Sequence, residues 1–185
     1  MVMKYFIISV FLVFNIVSGG QVLQNDLPRP VAKFIAGNYG KEEIVLTEKE
    51  ISANNFSSDK FFEVHRNSTS ELKGYLHFGR VNTCRAEGCS MPGVSEPAEK
   101  SEYFDYIILF TPAMEVEDIR IYNYQASYGH EITARGWLKQ FKGFSGEKTL
   151  EVGKHIDGIS GATVSVHAIT DDVQWKTRIL REKVQ

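Results

Sequence analysis

The stretch that decides how this chain folds around its functional site is Asp157-Gly158-Ile159-Ser160-Gly161-Ala162-Thr163, which leads directly into Val164-Ser165-Val166-His167-Ala168-Ile169. Gly158 and Gly161 favour a tight turn, because glycine adopts backbone angles closed to other residues. Ser160 is a good helix N-cap, and apolar residues then recur at helical intervals, so we expect a turn followed by an amphipathic helix. The free amides of its first turn and the helix dipole suit a phosphate near Thr163. Ordinary helix capping is the alternative interpretation of the same residues.

The segment 157–163 also resembles the Asp-x-x-Ser/Thr-Gly-Ala-Thr/Ser flavinylation motif of the FMN-binding domain family, with every fixed position present. This family includes the C subunit of the sodium-translocating NADH:quinone reductase, the G subunit of the Rnf complex and short secreted bacterial proteins. The resemblance implies that an FAD:protein FMN transferase joins the phosphate of FMN to the hydroxyl of Thr163. Asp157 has two interpretations: it caps the turn, or, as the resemblance implies, it helps to present Thr163 to the transferase and its metal.

A second segment, residues 128–143, resembles the Glu-Thr-Pro-Gly stretch of the family and the Trp/Gln-Phe-x-Gly that follows it. A flavin ring needs a flat apolar wall and a few polar groups at its edges. The wall candidates are Tyr128, Trp137 and Ile159, and the polar candidates are His130, Glu131 and Thr133. The motif residues Ser160, Gly161, Ala162, Asp157 and Gly158 complete the predicted cofactor site. For Trp137 a place in the core is an equally good interpretation, since Leu138 and Phe141 lie at helical spacing.

The amino terminus indicates a secretory signal peptide over residues 1–20. Lys4 precedes an apolar run from Tyr5 to Val17, and the small residues Ser18, Gly19 and Gly20 follow it. The run is shorter than the roughly 20 residues that cross a bilayer, so an uncleaved membrane anchor is the weaker alternative. We therefore expect an extracytoplasmic protein, periplasmic or secreted, with membrane association as an alternative.

Composition is that of a globular domain, with 43% hydrophobic residues and a formal net charge of -2. Lysines and arginines are scattered along the chain, which argues against a nucleic-acid partner. We predict an N-terminal extension over residues 21–70, formed by a short helix and strands, packed on an FMN-binding domain over residues 71–185.

The strand pattern predicts an α+β fold with a mainly antiparallel sheet, a long C-terminal helix and short helices. The apolar run Tyr103–Phe110 predicts a buried central strand, and residues 116–125 should pair with it. Alternation in this second strand places Ile119, Ile121 and Asn123 on one face and Arg120, Tyr122 and Tyr124 on the other. The last helix is expected to run from the motif to about Leu180, and the FMN-binding family has the same architecture.

The two cysteines, Cys84 and Cys89, are separated by four residues. In an oxidising compartment a structural disulfide is the default, while a redox-active dithiol and metal binding are the alternatives. His130, His155 and His167 lie near the motif in sequence, but no pair has metal-ligand spacing, so we predict no metal site.

Together these features predict an extracytoplasmic flavoprotein with FMN linked covalently to Thr163. Its role would be to relay electrons between a membrane reductase and an external acceptor, with membrane electron-transport proteins and the FMN transferase as partners. No nucleophile with a base and no dinucleotide-binding glycine pattern is visible, so no catalytic residue is assigned. A flavin-dependent reductase of a small acceptor and a reversible FMN- or phosphate-binding module are the alternatives.

Overall fold

The computed structural model describes residues 21–23, 27–51, 60–85 and 101–184. These residues contain a single antiparallel sheet of six strands, each paired with its neighbours in sequence. The strands are β1 (Gln21–Leu23), β2 (Ile44–Lys49), β3 (Lys60–Arg66), β4 (Leu72–Arg85), β5 (Ser101–Phe110) and β6 (Val116–Tyr124). The helices are α1 (Arg29–Tyr39), α2 (Arg135–Leu138) and α3 (Thr163–Val184), with short 3₁₀ turns at His130–Thr133 and Lys139–Phe141. The predicted α+β class, with a long C-terminal helix, is confirmed.

Helix α1 begins and ends where its local sequence favours a boundary. Pro28 occupies the N-cap position and a proline lies in the first turn, where its missing N–H costs no helical hydrogen bond. At the other end, the Gly40 N–H donates to the Ala36 carbonyl oxygen. The helix packs on the sheet through Val31, Phe34 and Ile35, all of which are buried.

The sheet separates two apolar clusters. On one face, α1 packs over Ile44, Leu46, Phe62, Val64, Leu76, Ile107 and Leu109. On the other face, α3 contributes Val166, Ile169, Val173 and Leu180 to a larger cluster that includes Phe104, Tyr106, Ile108, Phe110, Ile119 and Ile121. Strand β5 supplies alternate residues to both clusters, because successive side chains of a strand lie on opposite faces. This explains why its sequence is almost continuously apolar.

Strand β6 carries a β-bulge that changes the predicted side of two residues. The register pairs Tyr106 with Ile121, then Asp105 with Asn123 and Phe104 with Tyr124. Tyr122 is therefore an extra residue without a directly paired partner, and the alternation is shifted beyond it. Tyr124 lies on the α3 side, where its ring stacks on Phe104 with centroids 5.7 Å apart. The predicted faces of Asn123 and Tyr124 were wrong, because a bulge depends on pairing with β5 and leaves no periodic signal in β6.

The sheet is continuous across the predicted boundary between residues 70 and 71, since β3 pairs with β4. Cys84 lies in β4, whereas Cys89 and the predicted signal segment, residues 1–20, lie outside the described residues. Across the part of the chain that the structure describes, no helix has the length and apolar character needed to span a membrane.

Candidate functional site

The start of α3 provides backbone donors beside a threonine hydroxyl. Thr163 is the first helical residue, and the Val166 N–H donates to the Ala162 carbonyl oxygen at 2.9 Å. The amides of residues 163–165 therefore have no acceptor within the helix. The first turn also has no acidic side chain that would repel an anion. Ala162 occupies the cap position, so the prediction that Ser160 caps the helix was wrong; the turn adds two residues between Ser160 and the helix.

The turn before α3 depends on one of its two glycines for a left-handed backbone. Gly161 has a φ of 82°, which side-chain-bearing residues rarely adopt. Gly158 is not among the glycines with positive φ, and a Cβ added to it would lie 3.8 Å from the nearest Val152 atom. The expectation that both glycines need special backbone angles was therefore wrong for Gly158. The reversal is made next to the helix, where the Ala162 N–H donates to the Ile159 carbonyl oxygen.

Two side chains from the preceding helical segment hold the beginning of the motif. The Trp137 indole N–H donates to the Asp157 carbonyl oxygen at 2.9 Å, and the Asp157 N–H donates to Gln140 Oε1 at 2.8 Å. Gln140 is itself fixed, because its Nε2 donates to the Trp137 carbonyl oxygen at 3.1 Å. The backbone of Asp157 is thus held on both sides, while its carboxylate stays exposed to solvent.

Thr163 is exposed and lines a cleft of about 290 Å³. The cleft is lined by Thr83, Glu102, Tyr128, Gly161, Ala162, Thr163, Val164 and Ser165. Strands β4 and β5 supply the first two of these, the loop after β6 supplies Tyr128, and the motif with the first turn of α3 supplies the rest. The Glu102 carboxylate accepts a hydrogen bond from the Ser127 N–H at 3.1 Å, so it also fixes the loop that carries Tyr128.

The Tyr128 loop packs closely on the start of α3. Gly129 has a φ of 85°, and a Cβ added there would lie 2.9 Å from Ser165 Oγ and 3.0 Å from Tyr124 Oη. At these distances an added Cβ would displace the two hydroxyl groups. Glycine therefore allows the close contact, and the Tyr128 side chain projects from it with 81% of its surface exposed.

Tyr124 lies beneath this loop in a partly buried, acidic environment. Its hydroxyl donates to the Tyr128 carbonyl oxygen and lies 3.1 Å from Ser165 Oγ. Burial is the main cause that raises the pKa of Tyr124, and the nearby carboxylates of Glu102 and Glu131 raise it further, although the hydrogen bond with Ser165 opposes this. The phenol is therefore protonated at neutral pH and can donate a hydrogen bond.

The structure brings some of the predicted cofactor residues together. Four line the cleft: Tyr128, Gly161, Ala162 and Thr163. Trp137 and Ile159 pack against the main core cluster, and the His130 ring lies 5.4 Å from the Tyr124 ring. Glu131, Ser160, Gly158 and Asp157 are exposed and Thr133 is half-buried, all outside the cleft lining.

Sequence reasoning missed four residues that line the cleft: Thr83, Glu102, Val164 and Ser165. The last two follow the motif directly, and helical spacing could have placed them in the first turn. Thr83 and Glu102 lie far from the motif in sequence, on strands whose pattern gives no sign of a ligand. Only the pairing of β4 with β5 brings them beside α3.

Residues 103–175 match the family model of the FMN-binding domain. The matched segment contains most of β5, all of β6, the Tyr128 loop and the motif with Thr163, and it includes six of the eight residues that line the cleft. No curated protein and no solved structure gave a match. The predicted resemblance to the FMN-binding domain family is confirmed over these residues. Flavin binding is accordingly the function that the domain supports.

The residues of the cleft fit the chemical groups of FMN. Backbone amides at the start of a long helix suit its phosphate. The exposed ring of Tyr128 offers a flat aromatic surface, and the polar residues Thr83, Glu102 and Ser165 lie in the same lining. The acidic side chain of Glu102 disfavours a neighbouring phosphate, so the phosphate is expected at the α3 end of the cleft.

Proposed function

We propose that this protein is an extracytoplasmic electron-transfer flavoprotein, with FMN joined through a phosphoester to Thr163. In this role it relays electrons between a membrane reductase and an external acceptor. The observation that carries the proposal is the exposed residue Thr163, which lies at the N-terminus of α3 and lines a cleft formed mostly by the segment that matches the FMN-binding domain.

Attachment of FMN to Thr163 requires one displacement at phosphorus. FAD would be the donor: the Thr163 oxygen attacks the phosphorus on the riboflavin side, the pyrophosphate bond breaks, and AMP leaves. The Thr163 proton passes to a base of the transferase. The product phosphodiester keeps one negative charge, which the helix dipole and the amides of residues 163–165 stabilise. Because Thr163 is exposed, a second protein can reach it.

The size of the cleft supports covalent retention. Ligand clefts usually span about 300–1,000 Å³ and bury most of a drug-sized ligand. The present cleft, at about 290 Å³, lies just below this range, so it would cover only part of a flavin nucleotide. Partial cover gives weak noncovalent affinity, whereas a covalent tether keeps the flavin at high effective concentration beside its site. The part left exposed is accessible to partner proteins.

Bound flavin supplies reversible one- or two-electron transfer, and the residues of this chain supply attachment and position. The amides at the start of α3 bind the phosphate, the Tyr128 ring offers a wall, and the sheet with α3 provides a rigid support. The signal pattern at residues 1–20 supports the extracytoplasmic location. A covalent bond is useful in an open compartment, where a dissociating cofactor would be lost by diffusion.

The decisive experiment is intact-mass measurement and peptide mapping of protein purified from its native host. We expect a mass above that of the processed chain by FMN less one water, with the added mass on the peptide that contains Thr163. Thr163→Val should abolish it, since valine keeps the shape but lacks the hydroxyl. Thr69→Val is a matched control in an exposed turn and should keep the flavin. An unmodified wild-type chain, or an equally modified Thr163→Val variant, would refute the covalent assignment.

Electron relay is tested separately from attachment. We expect the flavin-loaded protein to be reduced and reoxidised once per flavin by redox partners, with no multiple turnover of a small acceptor such as a soluble quinone. Sustained turnover with the small acceptor alone would favour the reductase. Separation of the flavin from the denatured protein on gel filtration would favour the reversible binding module.

A further inference from the structure

The segment between β6 and the 3₁₀ turn carries Tyr128 to the edge of the cleft, and three contacts hold it there. Tyr124 donates to its backbone, Glu102 accepts from the Ser127 N–H, and Gly129 packs on the first turn of α3. Two of these contacts involve the Tyr124 hydroxyl or the serine that it meets. This pair therefore connects the loop, the sheet and the helix that carries Thr163.

The direction of the hydrogen bonds follows from counting protons. A phenol has a single proton to donate, and the Tyr128 carbonyl oxygen can only accept. The Tyr124 proton is therefore used on this carbonyl. At the 3.1 Å contact between Tyr124 Oη and Ser165 Oγ, Ser165 must then be the donor. Ser165 on α3 therefore donates to Tyr124 on β6, and Tyr124 donates to the backbone of the loop.

Burial of Ser165 favours its hydrogen bond to Tyr124 over a hydrogen bond to water. Ser165 is 4% exposed, so its hydroxyl has little water to bind instead. The Tyr124 ring is held by stacking on Phe104 and by edge contact with His130. Because Gly129 has no side chain, the loop backbone lies directly against both hydroxyl groups.

We propose that Tyr124 and Ser165 are positioning residues that fix the Tyr128 loop against α3 and thereby fix how the flavin ring is held over the cleft. This inference rests on the proposed function for the identity of the ligand. The positioning of the loop itself can be measured without flavin. Tyr124 owes its place in the pair to the bulge at Tyr122, which turns its side chain towards α3.

The first test measures amide hydrogen exchange at Ser127, whose N–H donates to the Glu102 carboxylate and so reports on how firmly the loop is held. Removing one such hydrogen bond should accelerate exchange by about twofold to tenfold. We expect this in Tyr124→Phe, a smaller effect in Ser165→Ala, and no further increase in the double variant. Tyr122→Phe is the matched control, because this neighbouring tyrosine packs against the apolar cluster on the α1 side of the sheet. In this variant the amide of Ser127 should exchange at the wild-type rate.

The second test uses the flavin-loaded full-length protein, with equal loading checked by intact mass. Time-resolved fluorescence anisotropy should show faster local motion of the flavin in Tyr124→Phe and Ser165→Ala than in wild type or Tyr122→Phe. Unchanged exchange at Ser127 in both folded variants would overturn the proposed pair. Faster exchange with unchanged flavin motion would overturn its role towards the flavin. A wild-type protein without covalent flavin would instead refute the proposed function, while the exchange test would still decide whether the pair fixes the loop.

Discussion

Gly129→Ala should destabilise the protein by two separable effects. The first is backbone strain, because a side-chain-bearing residue in a left-handed conformation costs about 1–2 kcal/mol, and Gly129 has a φ of 85°. The second is a clash, since the new Cβ would lie 2.9 Å from Ser165 Oγ and 3.0 Å from Tyr124 Oη. Relief of the clash separates the two hydroxyls and loses a hydrogen bond worth about 1 kcal/mol. The expected total is about 2–3 kcal/mol.

Gly153→Ala offers a control matched in backbone conformation. Gly153 also has a φ of 85°, but a Cβ added there meets nothing within 4 Å. Its expected cost is therefore the strain alone, about 1–2 kcal/mol. The difference between the two variants isolates the contact of the loop with α3.

Urea unfolding, followed by circular dichroism on the unmodified full-length protein, measures both variants. With a slope of about 2 kcal/mol per molar urea, an additional loss of 1 kcal/mol lowers the midpoint by about 0.5 M. We expect Gly129→Ala to unfold at lower urea than Gly153→Ala by about this amount. Equal midpoints would show that the loop does not pack on α3 as the structure has it.

Three further predictions concern the motif, the sheet and the core. Gln140→Ala removes the acceptor of the Asp157 N–H and should loosen the motif turn. Limited proteolysis of the 157–163 segment and flavin loading in the native host will measure this effect. Wild-type resistance to proteolysis together with full flavin loading would contradict it. A hydrogen bond from Lys49 is the main cause that holds the pKa of Glu63 below its ordinary value of 4.5, so its stabilising effect is present above that pH and is lost as pH falls through the lowered pKa. The stability difference between wild type and Glu63→Gln in urea should therefore shrink from pH 6 to pH 3, and a constant difference would exclude this linkage. Ile169→Ala empties a fully buried position of α3 and should cost about 2–5 kcal/mol in the same assay, whereas a loss below 1 kcal/mol would indicate that α3 packs loosely.

Prediction from sequence succeeded where a structural signal is local. Apolar runs located two of the strands: the predicted segment at Tyr103–Phe110 lies in β5, and the predicted segment 116–125 contains β6. The helix after the motif was also expected, because apolar residues recur there at three and four. The end of the last helix was less accurate: it was expected at about Leu180, whereas α3 continues to Val184, beyond its clearest apolar pattern.

The candidate site was only partly predictable, because most of its contacts join distant parts of the chain. The motif identified Thr163, and the segment after β6 identified Tyr128. Thr83 and Glu102 gave no signal, since their place beside Thr163 depends on strand pairing. Trp137 was a candidate wall or core residue, and the structure shows it packed against the core with its indole N–H on the Asp157 carbonyl oxygen.

The sequence by itself determined the class of fold, the motif and the hydroxyl at the beginning of the last helix, because glycine placement and apolar periodicity act over a few neighbouring residues. Only the tertiary structure decided that Tyr124 faces α3, since the extra residue Tyr122 is defined by its lack of a paired partner on β5. It also decided that Ala162 occupies the helix cap, because the first helical hydrogen bond depends on how the preceding turn closes. Such contacts arise between segments that the chain brings together only when the sheet and the helix pack.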